Sequence, residues 1–223
     1  MNLKNPCRGK QYGVSLVELM TVVMVLLIAV AFAVPGILSS LRQAKLRGSA
    51  SDYATILEQA RIYAIRDNRY YSTYILAGTG ITQAYVDMLP KRSGQASGNG
   101  GTSIVAASSG SIGDPQVTLS PEVVLQAATS APNTSNLQSQ LLPSTTTVTP
   151  TDARVTAPIF GPRGLPCTPV TLSGLSVCDS SGGPTAYWAF FQDSKSGTWQ
   201  AVTITPAGRI KKWFYNGSTW SKL

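Results

Sequence analysis

Between Leu19 and Val34 the chain carries no charge, and Thr21 is its only polar residue. A run this apolar lies near the shortest that crosses a bilayer as a helix, about 17 to 25 residues. Directly before it stands one carboxylate, Glu18. An ionised side chain in hydrocarbon costs roughly 2.5 to 3.5 kcal/mol near the helix centre, so a Glu in this setting needs a partner and marks a functional position. Lys4, Arg8 and Lys10 precede the run. Cations favour the cytoplasmic flank of a span, so this pattern keeps the N-terminus inside and exports everything after the anchor.

The stretch Lys10-Gln11-Tyr12-Gly13-Val14-Ser15-Leu16-Val17-Glu18 resembles the class III signal of type IV pilins and type II secretion pseudopilins. The resemblance implies that a prepilin peptidase cuts between Gly13 and Val14 and methylates the new N-terminus. It also makes Glu18 the family's hallmark carboxylate. The first mature residue of the family is usually Phe or Met, where this chain has Val14. Pro35-Gly36 falls where pilins usually carry a helix-bending proline. An ordinary secretory signal places small residues after its apolar region, for which Ala31 and Ala33 are available. A carboxylate ahead of that region has no role in such a signal. Cys7 precedes the apolar run instead of ending it, which argues against a lipoprotein.

Removal of the leader changes the charge and the cysteine count. The formal charge of +8 falls to +5 when its three cations go, and Cys7 leaves with them. The mature chain then keeps Cys167 and Cys178, which an oxidising periplasm favours as a pair. A bridge closing so short a loop contributes roughly 2 to 3 kcal/mol; the alternative is two free thiols. The chain contains no His, which removes the commonest general base. No phosphate-binding glycine loop, Ser-His-Asp set or Cys–His cluster can be assembled, so no enzymatic activity, metal or cofactor is expected.

Apolar residues continue beyond the anchor at steps of three and four: Leu38, Leu41, Ala44, Leu46, Ala50, Tyr53, Ala54, Leu57, Ala60, Tyr63 and Ala64. This is the period of an amphipathic helix. It predicts one helix from about Ser15 to Asp67, bent near Pro35, whose apolar face a β-sheet would cover. Strand composition recurs at Tyr70–Leu76, Val155–Phe160, Ala186–Gln192, Ala201–Thr205 and Arg209–Tyr215, with Asn216-Gly217 as a hairpin signal. From Gly94 to Thr151 the chain is rich in Ser, Thr, Gly and Pro; Ser103–Ala107, Gln116–Leu119 and Val123–Ala127 are its strand candidates. The expected fold class is α+β and pilin-like: a long N-terminal helix packed on a mostly antiparallel sheet. The expected organisation is a cleaved leader (1–13), a membrane or filament-core segment (14–38) and a periplasmic head (39–223).

Three segments resemble the FimT/GspH branch of the pilin superfamily: Leu57-Glu58-Gln59-Ala60-Arg61-Ile62-Tyr63-Ala64-Ile65, Ile159-Phe160-Gly161-Pro162-Arg163-Gly164 and Ile204-Thr205-Pro206-Ala207-Gly208-Arg209. The resemblance implies a minor pilin made in the inner membrane. It would be processed by the prepilin peptidase and assembled with other pilins to support pilus biogenesis. Alternatives are a DNA-receptor minor pilin for natural transformation and a type II secretion pseudopilin.

Two sites follow. In a filament, the ammonium on Val14 of a neighbouring subunit is the natural cation for Glu18; charges about 4 Å apart attract by about 4 kcal/mol at an effective dielectric near 20. Either charge left alone pays desolvation, so the pair would set the register of docking. A helix-dipole role explains an early Glu, though not its apolar setting. The second site is the C-terminus, where Lys195, Arg209, Lys211, Lys212 and Lys222 occur without any Asp or Glu, interleaved with Trp199, Trp213, Phe214, Tyr215 and Trp220. Strand periodicity would put Arg209, Lys211, Trp213 and Tyr215 on one face. Cations for phosphates beside rings for bases suit sequence-tolerant binding of DNA, double-stranded DNA being the candidate partner. Gly208-Arg209-Ile210-Lys211 resembles the Gly-Arg-x-Arg element of DNA-capturing minor pilins, with Lys in place of the second Arg. The competing reading is an edge strand guarded by lysines, with the aromatics in the core.

Overall fold

The computed structural model describes residues 15–77, 82–89, 115–142, 148–172, 175–178 and 183–223. Gly13, Val14 and the strand expected at 103–107 lie outside them. The chain divides into two units, one ending at Leu41 and the other spanning Arg42–Leu223.

Helix α1 (Leu16–Arg66) is continuous through Pro35. Pro35 has no N–H to offer the carbonyl four residues back. The hydroxyls of Ser39 and Ser40 donate to the Gly36 carbonyl at 2.9 and 3.1 Å. Both features weaken the helical ladder where a bend is expected. From Leu19 to Leu41 no residue is charged, which is about 35 Å of helix at 1.5 Å per residue. The helix is long and apolar enough here to cross a membrane.

In the second unit the helix becomes one-sided. Leu46, Ser49, Ala50, Tyr53, Ala54, Ile56, Leu57, Ala60 and Ala64 are buried, which matches the helical period; Leu38, Leu41 and Ala44, expected on the same stripe, are exposed. Alanines at 50, 54, 60 and 64 let strands approach the helix closely. The helix closes at Asn68, whose φ of 51° lets the Arg69 N–H reach back to the Ala64 carbonyl at 3.1 Å.

The remaining elements are β1 (Tyr70–Ala77), β2 (Thr82–Leu89), β3 (Gln116–Thr118), β4 (Val123–Gln126), α2 (Thr134–Leu141), β5 (Thr151–Asp152), β6 (Ile159–Phe160), β7 (Pro166–Cys167), β8 (Pro169–Leu172), β9 (Leu175–Cys178), β10 (Tyr187–Asp193), β11 (Trp199–Ile204), β12 (Ile210–Tyr215) and β13 (Trp220–Lys222). One sheet runs β3-β2-β1-β6-β7 and a second β13-β12-β11-β10-β4; β8 and β9 form a separate hairpin. Neighbours pair antiparallel, except β5, which joins β10 in parallel. The fold is therefore α+β, a long N-terminal helix packed on antiparallel sheets.

The main core joins Tyr53 and Leu57 of α1 to Tyr71, Ala84, Val86 and Phe160 of the first sheet and to Tyr187, Phe191, Val202 and Ile204 of the second. The second sheet also has a packed outer face. There Trp188, Phe190, Ala201, Trp213 and Trp220 gather under Leu137 of α2. Burial on both sides explains the unbroken apolar run Tyr187-Trp188-Ala189-Phe190-Phe191 in β10.

The short strands β5, β7, β8 and β9 have no counterpart among the expected ones, and three further departures have a local cause. Val155–Phe160 is a strand only at Ile159–Phe160, because Asp152 draws Arg154, Val155 and Thr156 into a turn through its backbone and side-chain oxygens. β2 went unread, although Ala84 and Val86 alternate into the core. α2 was hidden in the polar central region. Its two buried residues, Leu137 and Leu141, lie one turn apart. Helix α2 also covers the margin of the second sheet: Asn136 Oδ1 accepts from the Trp220 N–H at 3.2 Å, and Gln140 Nε2 donates to the Trp220 carbonyl at 2.9 Å.

Candidate functional site

Glu18 lies in the first turn of α1, where an acidic side chain suits the helix dipole. Its backbone carbonyl accepts from the Thr21 hydroxyl at 2.9 Å. Its side chain is exposed and makes no ion pair among the described residues. Every large apolar side chain around it is also uncovered, from Leu16 and Val17 through Phe32 to Leu41. A continuous apolar surface of this size needs lipid or protein against it. Glu18 is the only carboxylate on it.

The C-terminal strands are arranged differently from the expected single basic face. Ile210 packs toward the α1 core, and Lys212 Nζ donates to the Ser51 hydroxyl of α1 at 3.1 Å. Phe214, on the same side, has the Arg47 guanidinium 5.9 Å from its ring centre. Lys211, Trp213 and Tyr215 point to the opposite side. Register places Lys222 across from Trp213, so Lys211 and Lys222 flank that indole. Arg209 precedes β12 in the turn and is exposed.

Trp213 itself is only 2% exposed, and its Nε1 donates to the Thr203 hydroxyl at 2.8 Å. Trp220 is as deeply buried and donates to the Pro132 carbonyl. These rings build the outer core of the sheet. Trp213 is therefore removed from the set of residues that could stack on a base; Arg209, Lys211 and Lys212 remain as cations without a carboxylate partner among the described residues. The edge strand is β13, one strand further out than expected.

The three segments that carry the FimT/GspH resemblance meet at one point. Arg61 Nε donates to the Gly164 carbonyl at 3.1 Å. A Cβ on Gly164 would lie 2.6 Å from the Ile65 side chain, and one on Gly208 only 2.4 Å from the Gly164 oxygen. Both glycines also have left-handed backbones, φ +71° and +73°. Only a residue without Cβ allows the helix, the β6–β7 loop and the β11–β12 turn to close this tightly. Arg163 and Arg209 flank the two glycines, which brings three arginines from distant parts of the chain to one locality. Arg163 had no motif of its own to flag it; its neighbour Gly164 was the available signal.

Beside this junction, Cys167 and Cys178 form a disulfide, with Cα atoms 5.4 Å apart. It ties β9 to β7. The Tyr187 hydroxyl donates to the Cys167 carbonyl at 2.7 Å, and the hydroxyls of Thr168 and Thr185 lie 2.7 Å apart. A scan against protein-family models, a search of curated proteins and a search of solved structures each find no match.

Proposed function

We propose that the chain is a minor subunit of a type IV pilus-like filament, of the FimT/GspH kind. It would be inserted in the bacterial inner membrane with its N-terminus cytoplasmic and its head periplasmic. Prepilin peptidase would cut after Gly13 and methylate Val14. The mature subunit would then leave the bilayer to join other pilins. The observation that carries this reading is the uncovered apolar half of α1 with its lone carboxylate, Glu18, which would be the fifth residue of the mature chain after the proposed cut. In a bundle of such helices, Glu18 would find its cation on Val14 of a neighbour. Subunits docked at the wrong height would strand a charge in an apolar setting.

The decisive experiment expresses Glu18→Ala beside a cleavage-blocked Gly13 variant in a host with the peptidase. Glu18→Ala is expected to lose its leader normally and yet be scarce in sheared filaments; normal incorporation would sink the registry role. Deletion that abolishes protein secretion while sparing pili would move the assignment to a type II secretion pseudopilin.

A second reading is favoured by the cations Arg209, Lys211 and Lys212, which lack acidic partners among the described residues: the displayed head binds DNA through its phosphates. Binding of this kind weakens steeply with salt. Arg209→Ala combined with Lys211→Ala is expected to abolish a mobility shift that the wild-type protein gives at low salt.

A further inference from the structure

Next to the Gly164–Gly208 contact lies a cavity of about 570 Å³, a size suited to a small-molecule or single-residue ligand. Its walls come from the start of β1, the β6–β7 loop, the disulfide, the approach to β10 and the β11–β12 turn. Tyr70 and Arg163 supply its aromatic and cationic groups, and Pro166, Pro184 and Pro206 stiffen it. Gly161 lies against both walls: a Cβ there would be in ordinary contact with the Tyr70 ring at 3.4 Å and with Cys178 Sγ at 3.8 Å.

Two properties set this cavity apart from a gap between loops. Its walls are cross-linked by the Cys167–Cys178 bridge, by the Tyr187 hydroxyl on the Cys167 carbonyl and by the Thr168–Thr185 contact. A pocket already fixed in shape loses little entropy when it is filled. Its chemistry is also one-sided. The described lining residues include no carboxylate and no side-chain amide, and Arg163 has no ion pair among the described residues. The complement is a flat ring attached to an anion. A hydroxyl-rich saccharide would call for carboxylates and amides, which the described lining residues do not supply.

We infer that this cavity takes one unpaired nucleotide of a DNA strand, its base against Tyr70 and its phosphate at Arg163, so that the head selects single-stranded DNA over blunt duplex. The inference rests on the DNA reading above and adds a pocket to it. Arg61, whose Nε is bonded to the Gly164 carbonyl, and Arg209, next to Gly208, are the cations at the adjoining glycine contact and would meet neighbouring phosphates. The buried Trp213 and Trp220 cannot serve as stacking platforms, whereas Tyr70 is half-buried and lines the cavity.

The test is fluorescence anisotropy of the full-length protein in detergent. The probes are a labelled single-stranded oligonucleotide, the blunt duplex of the same sequence and a sulfated polysaccharide. The single strand is expected to bind tightest. Base stacking of the usual strength predicts that Tyr70→Ala weakens the single strand by roughly fivefold or more, leaving the duplex unchanged, while Tyr70→Phe behaves as wild type. Arg163→Glu, at an exposed position, is expected to remove the strand preference as well, and it carries the test should Tyr70→Ala fail to fold. Equal binding of both DNA forms, or of DNA and polysaccharide, overturns the pocket while leaving electrostatic binding in place. No binding of any DNA at low salt overturns the DNA reading and the pocket together.

Discussion

Arg61 of α1 donates its Nε hydrogen to the carbonyl of Gly164, 103 positions further along the chain. Gly208 closes on the same oxygen from a third segment. One carbonyl thus pins the helix, a loop of the first sheet and a turn of the second. Gly208→Ala would add a clash and a left-handed alanine, a combined cost of about 2 to 4 kcal/mol. Arg61→Ala removes a charge-assisted bond and is expected to cost about 1 to 2 kcal/mol. Thermal unfolding of the detergent-solubilised chain, followed through the near-ultraviolet signal of its tryptophans, measures both. The glycine variant should be the worse.

Acid sensitivity is expected at Asp193. Burial pushes its carboxyl up, but the Ser196 hydroxyl, the backbone N–H groups of Lys195 and Ser196, and the nearby Arg42 outweigh burial and hold it below its ordinary value. A carboxylate depressed in the folded state stabilises the protein above its unfolded pKa, about 3.9. That contribution disappears as pH falls through the lower folded value. Melting temperatures should therefore drop below about pH 4, and Asp193→Ala should flatten that part of the profile. Asp193→Ala is also expected to cost about 1 to 3 kcal/mol at neutral pH through its lost hydrogen bonds.

Reducing the bridge, or replacing Cys167 and Cys178 by Ser, should lower stability by roughly 2 to 3 kcal/mol. The head should nonetheless stay folded, because the bridge lies outside the main core. Melting curves with and without reductant separate these outcomes; loss of the folded signal would show that the bridge is essential to the fold.

Asn136→Ala with Gln140→Ala would strip the Trp220 backbone of both its partners on α2. Each lost bond is worth about 0.5 to 1.5 kcal/mol. A newly bare strand margin also invites self-association, so the double variant should sediment as larger species at concentrations where the parent does not.

The elements legible in the sequence were those whose periodicity one packed face dictates. The stripe from Leu46 to Ala64 identified the helix, and β10 to β12 followed from dense aromatic and β-branched runs, with Asn216-Gly217 signalling the turn after them. What escaped notice depended on side chains acting locally. Asp152 converts a strand-like stretch into a turn, and two leucines one turn apart suffice for α2 in a polar setting. At the C-terminal site, parity along β12 placed Lys211 and Trp213 on one side as expected. It gave no sign that α2 would bury that side, because the covering residue, Leu137, comes from a region without visible pattern. Arg163 and Tyr70 were invisible as neighbours, since only the tertiary approach of Gly161 and Gly164 brings their surroundings together.

The two amides that α2 sets on Trp220 have one more effect. They occupy the N–H and carbonyl of Trp220, two of the groups through which a further strand would hydrogen-bond to β13. At Trp220 a strand from another chain is turned away, and a molecule that meets the head there is recognised by side chains.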